Sequence, residues 1–312
     1  MAQGLIDEVR ANFRAFRDAA ARSAPFVYVW GPCTTHRGFA AGSGATLWGL
    51  DEGSLQLPPV WPNSAAVRED VCDYLGEVQA LDAGLGALLS ELEARGELDN
   101  TVVVVTGDHG MPMPRAKATL YEEGCRVPLA VRWPAGNIQQ GHTVRGLVNT
   151  MDLAPTLCEC AGVPQPAAMG VASRSLLGLL RGGGDVEPGQ DWVVSGLERH
   201  VSIAREGCLP YPQRSLRTPS FLFIQNFEPS RWPAGDPHGL VENMRLAVRP
   251  AAFEILASST MTVLPDCDAS PSLAWMVIHR NDPAVRPLFL AAFGRRPGKP
   301  PSHQQRFTPA CS

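Results

Sequence analysis

The clearest hydrophobic pattern runs from Ser64 to Gly96, where Val67, Val71, Tyr74, Leu75, Val78, Leu81, Leu85, Leu88 and Leu92 recur at three- and four-residue steps. That period predicts one apolar face on a long helix. Ser64 suits its N-cap, Glu69 and Asp70 complement the dipole in its first turn, and Arg95-Gly96 suits its end. Ile6, Val9, Phe13 and Phe16, with Arg10, Arg14 and Arg17 between them, predict a second amphipathic helix over Leu5–Ala21.

Strand patterns are shorter. Four consecutive valines, Val102–Val105, cannot alternate between core and water, so they predict a strand covered on both faces, as in parallel sheets. Phe26-Val27-Tyr28-Val29-Trp30 predicts a second buried strand and Leu129–Trp133 a third. Ala40–Asn63, rich in Gly, Pro and Trp, reads as a long loop, and Pro155 suits the first turn of a short helix. A long helix feeding a buried strand is an αβ unit. The predicted fold class is therefore α/β, a doubly wound, mixed or parallel sheet flanked by helices. Gly182-Gly183-Gly184 marks a boundary, after which Trp192–Ser195, Ser220–Gln225 and Leu246–Val248 predict a smaller C-terminal antiparallel unit. The division is a core at 1–184, an α+β subdomain at 185–294 and a disordered tail at 295–312.

Composition narrows the function classes. The 312 residues are 45% hydrophobic with a net charge of -4, which gives no general electrostatic reason to bind nucleic acid or an anionic membrane. The eight cysteines show no C-x-x-C pair, so neither a zinc site nor a disulfide framework is predicted. Met1–Arg10 lacks a signal-peptide apolar run and no segment is long enough to span a bilayer; taken literally, the chain is cytosolic.

Ligands in open α/β sheets gather beyond the carboxyl ends of strands. The valine strand is followed by Gly107-Asp108-His109-Gly110, and the Phe26–Trp30 run by Gly31–Gly38, which contains His36. Asp108, His109 and His36 are the candidate site residues read from position alone.

Several stretches together resemble the sulfatase family of the alkaline-phosphatase-like superfamily. They are Leu98-Asp99-Asn100-Thr101-Val102, Thr106-Gly107-Asp108-His109-Gly110, Arg115-Ala116-Lys117 with Leu120-Tyr121-Glu122, and Arg126-Val127-Pro128-Leu129 with Arg132-Trp133-Pro134. Asp152-Leu153-Ala154-Pro155-Thr156 and Arg174-Ser175-Leu176-Leu177 continue the series, which covers roughly residues 20 to 250. Met113–Lys117, Glu198-Arg199-His200-Val201 and Asn226–Pro233 look most like the heparan N-sulfatase (sulfamidase)-like group.

The resemblance implies a calcium-dependent hydrolase of sulfate esters or sulfamates on a sulfated small molecule or glycan, with a formylglycine nucleophile. Asp108 and His109 match two calcium ligands, Lys117 a sulfate-contacting lysine, and His36 a histidine that contacts sulfate or assists the leaving group. Glu198, Arg199 and His200 match positions facing substrate. Each has a plainer alternative: a capped turn for Asp108-His109, a solvated charge for Lys117, a loop-bonding imidazole for His36, and a solvated turn for Glu198–His200. Relatives often work in lysosomes or the periplasm.

Two family elements have no counterpart here, the strand ending in paired aspartates and the Cys-x-Pro-x-Arg segment that becomes formylglycine. Cys33-Thr34-Thr35-His36-Arg37 has the right Cys-to-Arg separation but lacks the proline, and it aligns with the histidine loop instead. The sequence therefore predicts an incomplete calcium site and a truncated or inactive form, unless another chain supplies the N-terminal half. The alternatives are a pseudoenzyme that binds sulfated glycans and a phosphoesterase of the same superfamily.

Overall fold

In a computed structural model, residues 2–21, 24–167, 173–184, 191–201 and 204–231 are described, all within one compact unit. Its spine is α3, Ala65–Ala94, capped as predicted by the Ser64 side chain, which accepts from Val67 N at 3.3 Å. Both halves of this helix carry other structure. Against the C-terminal half lies α1, Ala2–Asp18, and Val9 and Phe13 meet Ala87, Leu88 and Leu92 in a common core. The Arg14 guanidinium donates twice to Glu91, at 2.8 and 2.7 Å, and Arg17 twice to Glu97, at 3.0 and 2.8 Å.

The N-terminal half of α3 carries the site. Val67 and Val71 pack with Trp61, Met113 and Ala116 in a second core cluster. The segment predicted as a long loop contains a short helix, α2, Ser43–Trp48, and its anchor is remote in sequence. Asp73, fully buried on α3, accepts from Gly42 N at 2.9 Å and Gly44 N at 2.7 Å.

Phe26–Trp30 differs from prediction. Its aromatic residues do pack on the helices, with the Tyr28 ring 5.1 Å from Phe13 and Trp30 so close to α3 that a Cβ on Gly84 would lie 2.3 Å from it. Yet Val27 and Val29 are 84% and 87% exposed, and among the described residues no backbone hydrogen bond reaches the run. It is an extended ribbon covered on one face, because no described strand lies beside it.

The valine strand also differs in detail. β1, Val103–Thr106, follows α3 and a 3-10 turn, Leu98–Asn100. It pairs antiparallel with β2, Leu129–Arg132, Val103 opposite Arg132 and Thr106 opposite Leu129. Its valines are half-buried rather than covered on both faces. Between these strands sits α4, Glu122–Cys125, and beyond them α5, Leu153–Cys160, and α6, Leu177–Leu180. The smaller antiparallel sheet is a meander of β3, Val193–Leu197, β4, Gln213–Arg217, and β5, Leu222–Asn226. Arg217 of β4 reaches Glu122 of α4 at 2.8 Å, tying this sheet to the site-bearing layer. The predicted strand at Leu246–Val248 and the tail at 295–312 lie outside the described residues. Among the described residues, no helix is long and apolar enough to cross a membrane.

Candidate active site

β1 delivers Gly107–Gly110 to a corner where α4 presses close. Gly110 N donates to Gly124 O at 3.0 Å, and a Cβ on Gly110 would fall 1.7 Å from Glu123 O. A Cβ on Gly124 would fall 2.4 Å from Ala116 O. Both glycines are thus required by backbone approaching backbone. Through them α4 contacts the strand end and the Lys117 loop at once.

Lys117 is buried, and its ammonium stands 3.1 Å from Nε2 of His36, 81 residues away in sequence. An ammonium only donates, so Nε2 accepts and the ring proton lies on Nδ1, which donates to Arg37 O at 3.2 Å. The partners assign the tautomer. Two residues flanking the lysine, Arg115 and Ala118, hold left-handed backbone at φ 66° and 64°. Non-glycine residues adopt it at a cost of about 1–2 kcal/mol each, a strain found at functional turns when surrounding contacts enforce it.

The start of this loop is held by Arg37, which position and composition did not single out. Its side chain is 1% exposed and donates to both carboxylate oxygens of Asp70, at 2.9 and 2.6 Å. It also donates to Pro112 O at 2.6 Å and meets Met113 Sδ at 2.8 Å. One guanidinium therefore ties the His36 loop, α3 and the Lys117 loop together. Trp61 Nε1 adds a bond to Pro114 O at 3.0 Å. Since Arg37 is committed to Asp70, the Cys33–Arg37 segment does not present a free arginine beside its exposed thiol. The only sequence signal for Arg37 was its place beside His36.

Asp108 and His109 form the opposite, open side of the corner. The Asp108 side chain is 87% exposed, and its Oδ1 accepts from His109 N at 2.9 Å. His109 Nδ1 donates to Gly110 O at 2.7 Å, while Nε2 faces Asp108 Oδ2 at 3.4 Å. Calcium takes about six to eight oxygen ligands. Among the described residues no group of three His, Cys, Asp or Glu side chains is gathered for a metal, so these residues do not by themselves fit calcium.

Glu198, Arg199 and His200 follow β3 and line a small pocket with Ala118, the residue after Lys117. Glu198 accepts from Arg214 at 2.5 Å, and Arg199 donates to Cys208 O at 2.6 Å. The structure thus joins His36 to Lys117, joins Asp108 to His109, and sets Glu198–His200 against the Lys117 loop.

A buried lysine against a histidine, and a carboxylate–histidine pair after β1, lie in an α/β frame with a small antiparallel sheet. The family model described as Sulfatase matches residues 4–163, and the chain belongs to the sulfatase family. It is 30% identical over 178 residues to human N-sulphoglucosamine sulphohydrolase, a match covering 54% of this chain and 34% of that protein. It is 41% identical over 105 residues to an N-acetylglucosamine-6-O-sulfatase of Bacteroides thetaiotaomicron, covering 32% of this chain and 19% of that one. A solved structure from Bacteroides fragilis, described as a candidate sulfatase, shares the fold at a TM-score of 0.52 and 19% identity, covering 83% of this chain and 58% of that one. The chain spans about a third of the length of the human relative.

Proposed function

We propose that this chain carries the sulfate-binding side of a hydrolytic centre for sulfate esters or sulfamates on an amino sugar. The observation that carries the reading is the contact of the buried Lys117 with the exposed His36 at 3.1 Å. A compact ammonium held by its surroundings is suited to a tetrahedral oxyanion, because its charge needs no reorganisation when the anion arrives. His36 keeps its proton at Nδ1 against Arg37 O and offers Nε2 toward the lysine, so it orients the ammonium and stands next to the bond to be broken. Glu198, Arg199 and His200 face the sugar. Both named relatives carry sulfated glucosamine in their names, which supports that substrate class.

Asp108 and His109 form one side of a calcium site, with the remaining ligands and the formylglycine nucleophile, whose Cys-x-Pro-x-Arg segment has no counterpart in this sequence, supplied by another chain. Sulfated-glycan binding without turnover is the second reading. The shortage of metal donors at Asp108 and His109 favours it.

The test is calorimetric titration of the purified chain with glucosamine N-sulfate, with and without calcium, beside a sulfate-release assay. Binding by the wild type that weakens about tenfold or more in Lys117→Ala is the expected result, since a charge-assisted hydrogen bond contributes about 1.5–3 kcal/mol. A folded chain with no affinity for the sulfated sugar defeats the proposal. Binding without sulfate release selects the second reading.

A further inference from the structure

The run from Phe26 to Cys33 has the form of a strand with no described strand beside it. Exposure alternates residue by residue: Phe26, Tyr28 and Trp30 are half-buried, Val27 and Val29 are 84% and 87% exposed, and Gly31 and Cys33 continue the open face. Pro25 and Pro32 bound a segment of ordinary strand length. Among the described residues, no main-chain hydrogen bond is made by Phe26–Gly31.

The opposite face is held firmly. The Phe26 ring lies 6.1 Å from that of Phe16 and under the Arg17 guanidinium at 4.9 Å, and the Tyr28 ring lies 4.9 Å from Phe16. Beyond the run, Thr34 Oγ1 donates to Glu77 O of α3 at 3.4 Å, and His36 N donates to Cys33 O at 3.1 Å. Because the ribbon is extended and anchored in advance, a partner that pairs with it has little ordering entropy to overcome.

We propose that Phe26–Gly31 is a docking edge for one β-strand of a different polypeptide, laid parallel to it so that its carboxyl end arrives at the His36 loop. The inference deepens the reading above, in which another chain supplies the nucleophile. A bare extended main chain selects a strand over a helix or a small ligand, since only a strand matches its alternating donors and acceptors. Val27 and Val29 favour β-branched side chains next to them. Continuity sets the direction: the ribbon runs straight into Cys33–Arg37, and reacting groups gather beyond the carboxyl ends of parallel strands. A second copy fits less well. Pairing two ribbons antiparallel about a twofold axis carries their His36 loops to opposite ends and completes neither corner, and two such short runs bury less than the roughly 1,200 Å² of a stable interface.

The experiment follows hydrogen exchange and size-exclusion elution of the full chain at low micromolar concentration, alone and with an excess of the capped peptide Lys-Val-Thr-Val-Thr-Val-Lys. Alone, the chain should elute as a monomer with fast exchange over Val27–Gly31; the peptide should slow that exchange about tenfold. The slowing should persist in Val27→Ala/Val29→Ala, which keeps the main-chain donors, and vanish in Val27→Pro/Val29→Pro, which removes two of them while favouring the same extended backbone. Direction is read at the exposed Cys33 thiol: a peptide carrying a pyridyl-disulfide-activated cysteine at its carboxyl end should form the mixed disulfide faster than one carrying it at its amino end. Protection already present in the monomer, which reveals an internal cover, overturns the proposal, as does a dimer, which assigns the edge to a second copy. No slowing by the peptide, slowing that survives the prolines, or faster capture from the amino end also overturns it. If the peptide docks and glucosamine N-sulfate does not bind, the reading of Lys117 fails and the docking edge stands; if the sugar binds and the peptide does not, the docking edge alone fails.

Discussion

The two sides of the strand-end corner are built differently. His36 and Lys117 are locked by a guanidinium almost sealed from solvent, which bonds Asp70, Pro112 and Met113 together. Asp108 and His109 lean on each other and on Gly110, with the carboxylate open to water. Electrostatic work on an anion needs charges fixed before the ligand arrives, and the first side has that property. On the proposed reading the second side, open to water at Asp108, takes its further cation ligands from elsewhere. The contrast separates a fixed pair from an open one.

The sharpest way to break this contrast is Arg37→Ala, which strands Asp70 as an unpaired buried charge. We expect a loss of about 3–5 kcal/mol in urea unfolding, with weaker sugar binding in whatever fraction stays folded. A loss below about 1 kcal/mol would mean the clamp does not hold the corner. Gly110→Ala comes next: its Cβ meets the Glu123 carbonyl, and shifting two backbones is expected to cost about 1–3 kcal/mol.

Acid should act away from the corner, on the α1–α3 contact. The Arg14 hydrogen bond lowers the Glu91 pKa from its ordinary 4.5, against the effect of burial. A lowered carboxylate contributes stability that is fully present above the ordinary value and is lost as pH falls through the folded one. Melting midpoints should therefore drop below pH 4.5 in the wild type, with a shallower drop in Glu91→Gln. The smallest effect belongs to Asp108→Ala, whose exposed side chain should leave unfolding free energy within about 0.5 kcal/mol of wild type. A large loss there would show that the open side is structural after all.

Legibility in the sequence followed the range of the interaction. α3 was readable to its cap because period and Ser64 are local signals, and the antiparallel character of the smaller sheet was readable from its short strands. β4 was not, since Gln213-Arg214-Ser215-Leu216-Arg217 has no apolar alternation and is buried by its neighbours β3 and β5. α2 escaped because its anchor, Asp73, lies about thirty residues on, in another helix. At the corner, strand-end position flagged Asp108, His109 and His36, while Lys117 came only from the motif resemblance. The Arg37–Asp70 clamp, 33 residues apart, left no periodic trace. The valine strand misled for a related reason: an apolar run shows that a strand can be covered, not which strand covers it.

The Phe26–Trp30 ribbon bears on how the protein behaves in concentrated solution. Two bare valines on a run whose backbone makes no hydrogen bond among the described residues make a ready seed for edge-to-edge association. A charged residue in place of Val27 or Val29 is the change that should prolong its life as a dispersed molecule, at little cost to the aromatic face that grips the helices.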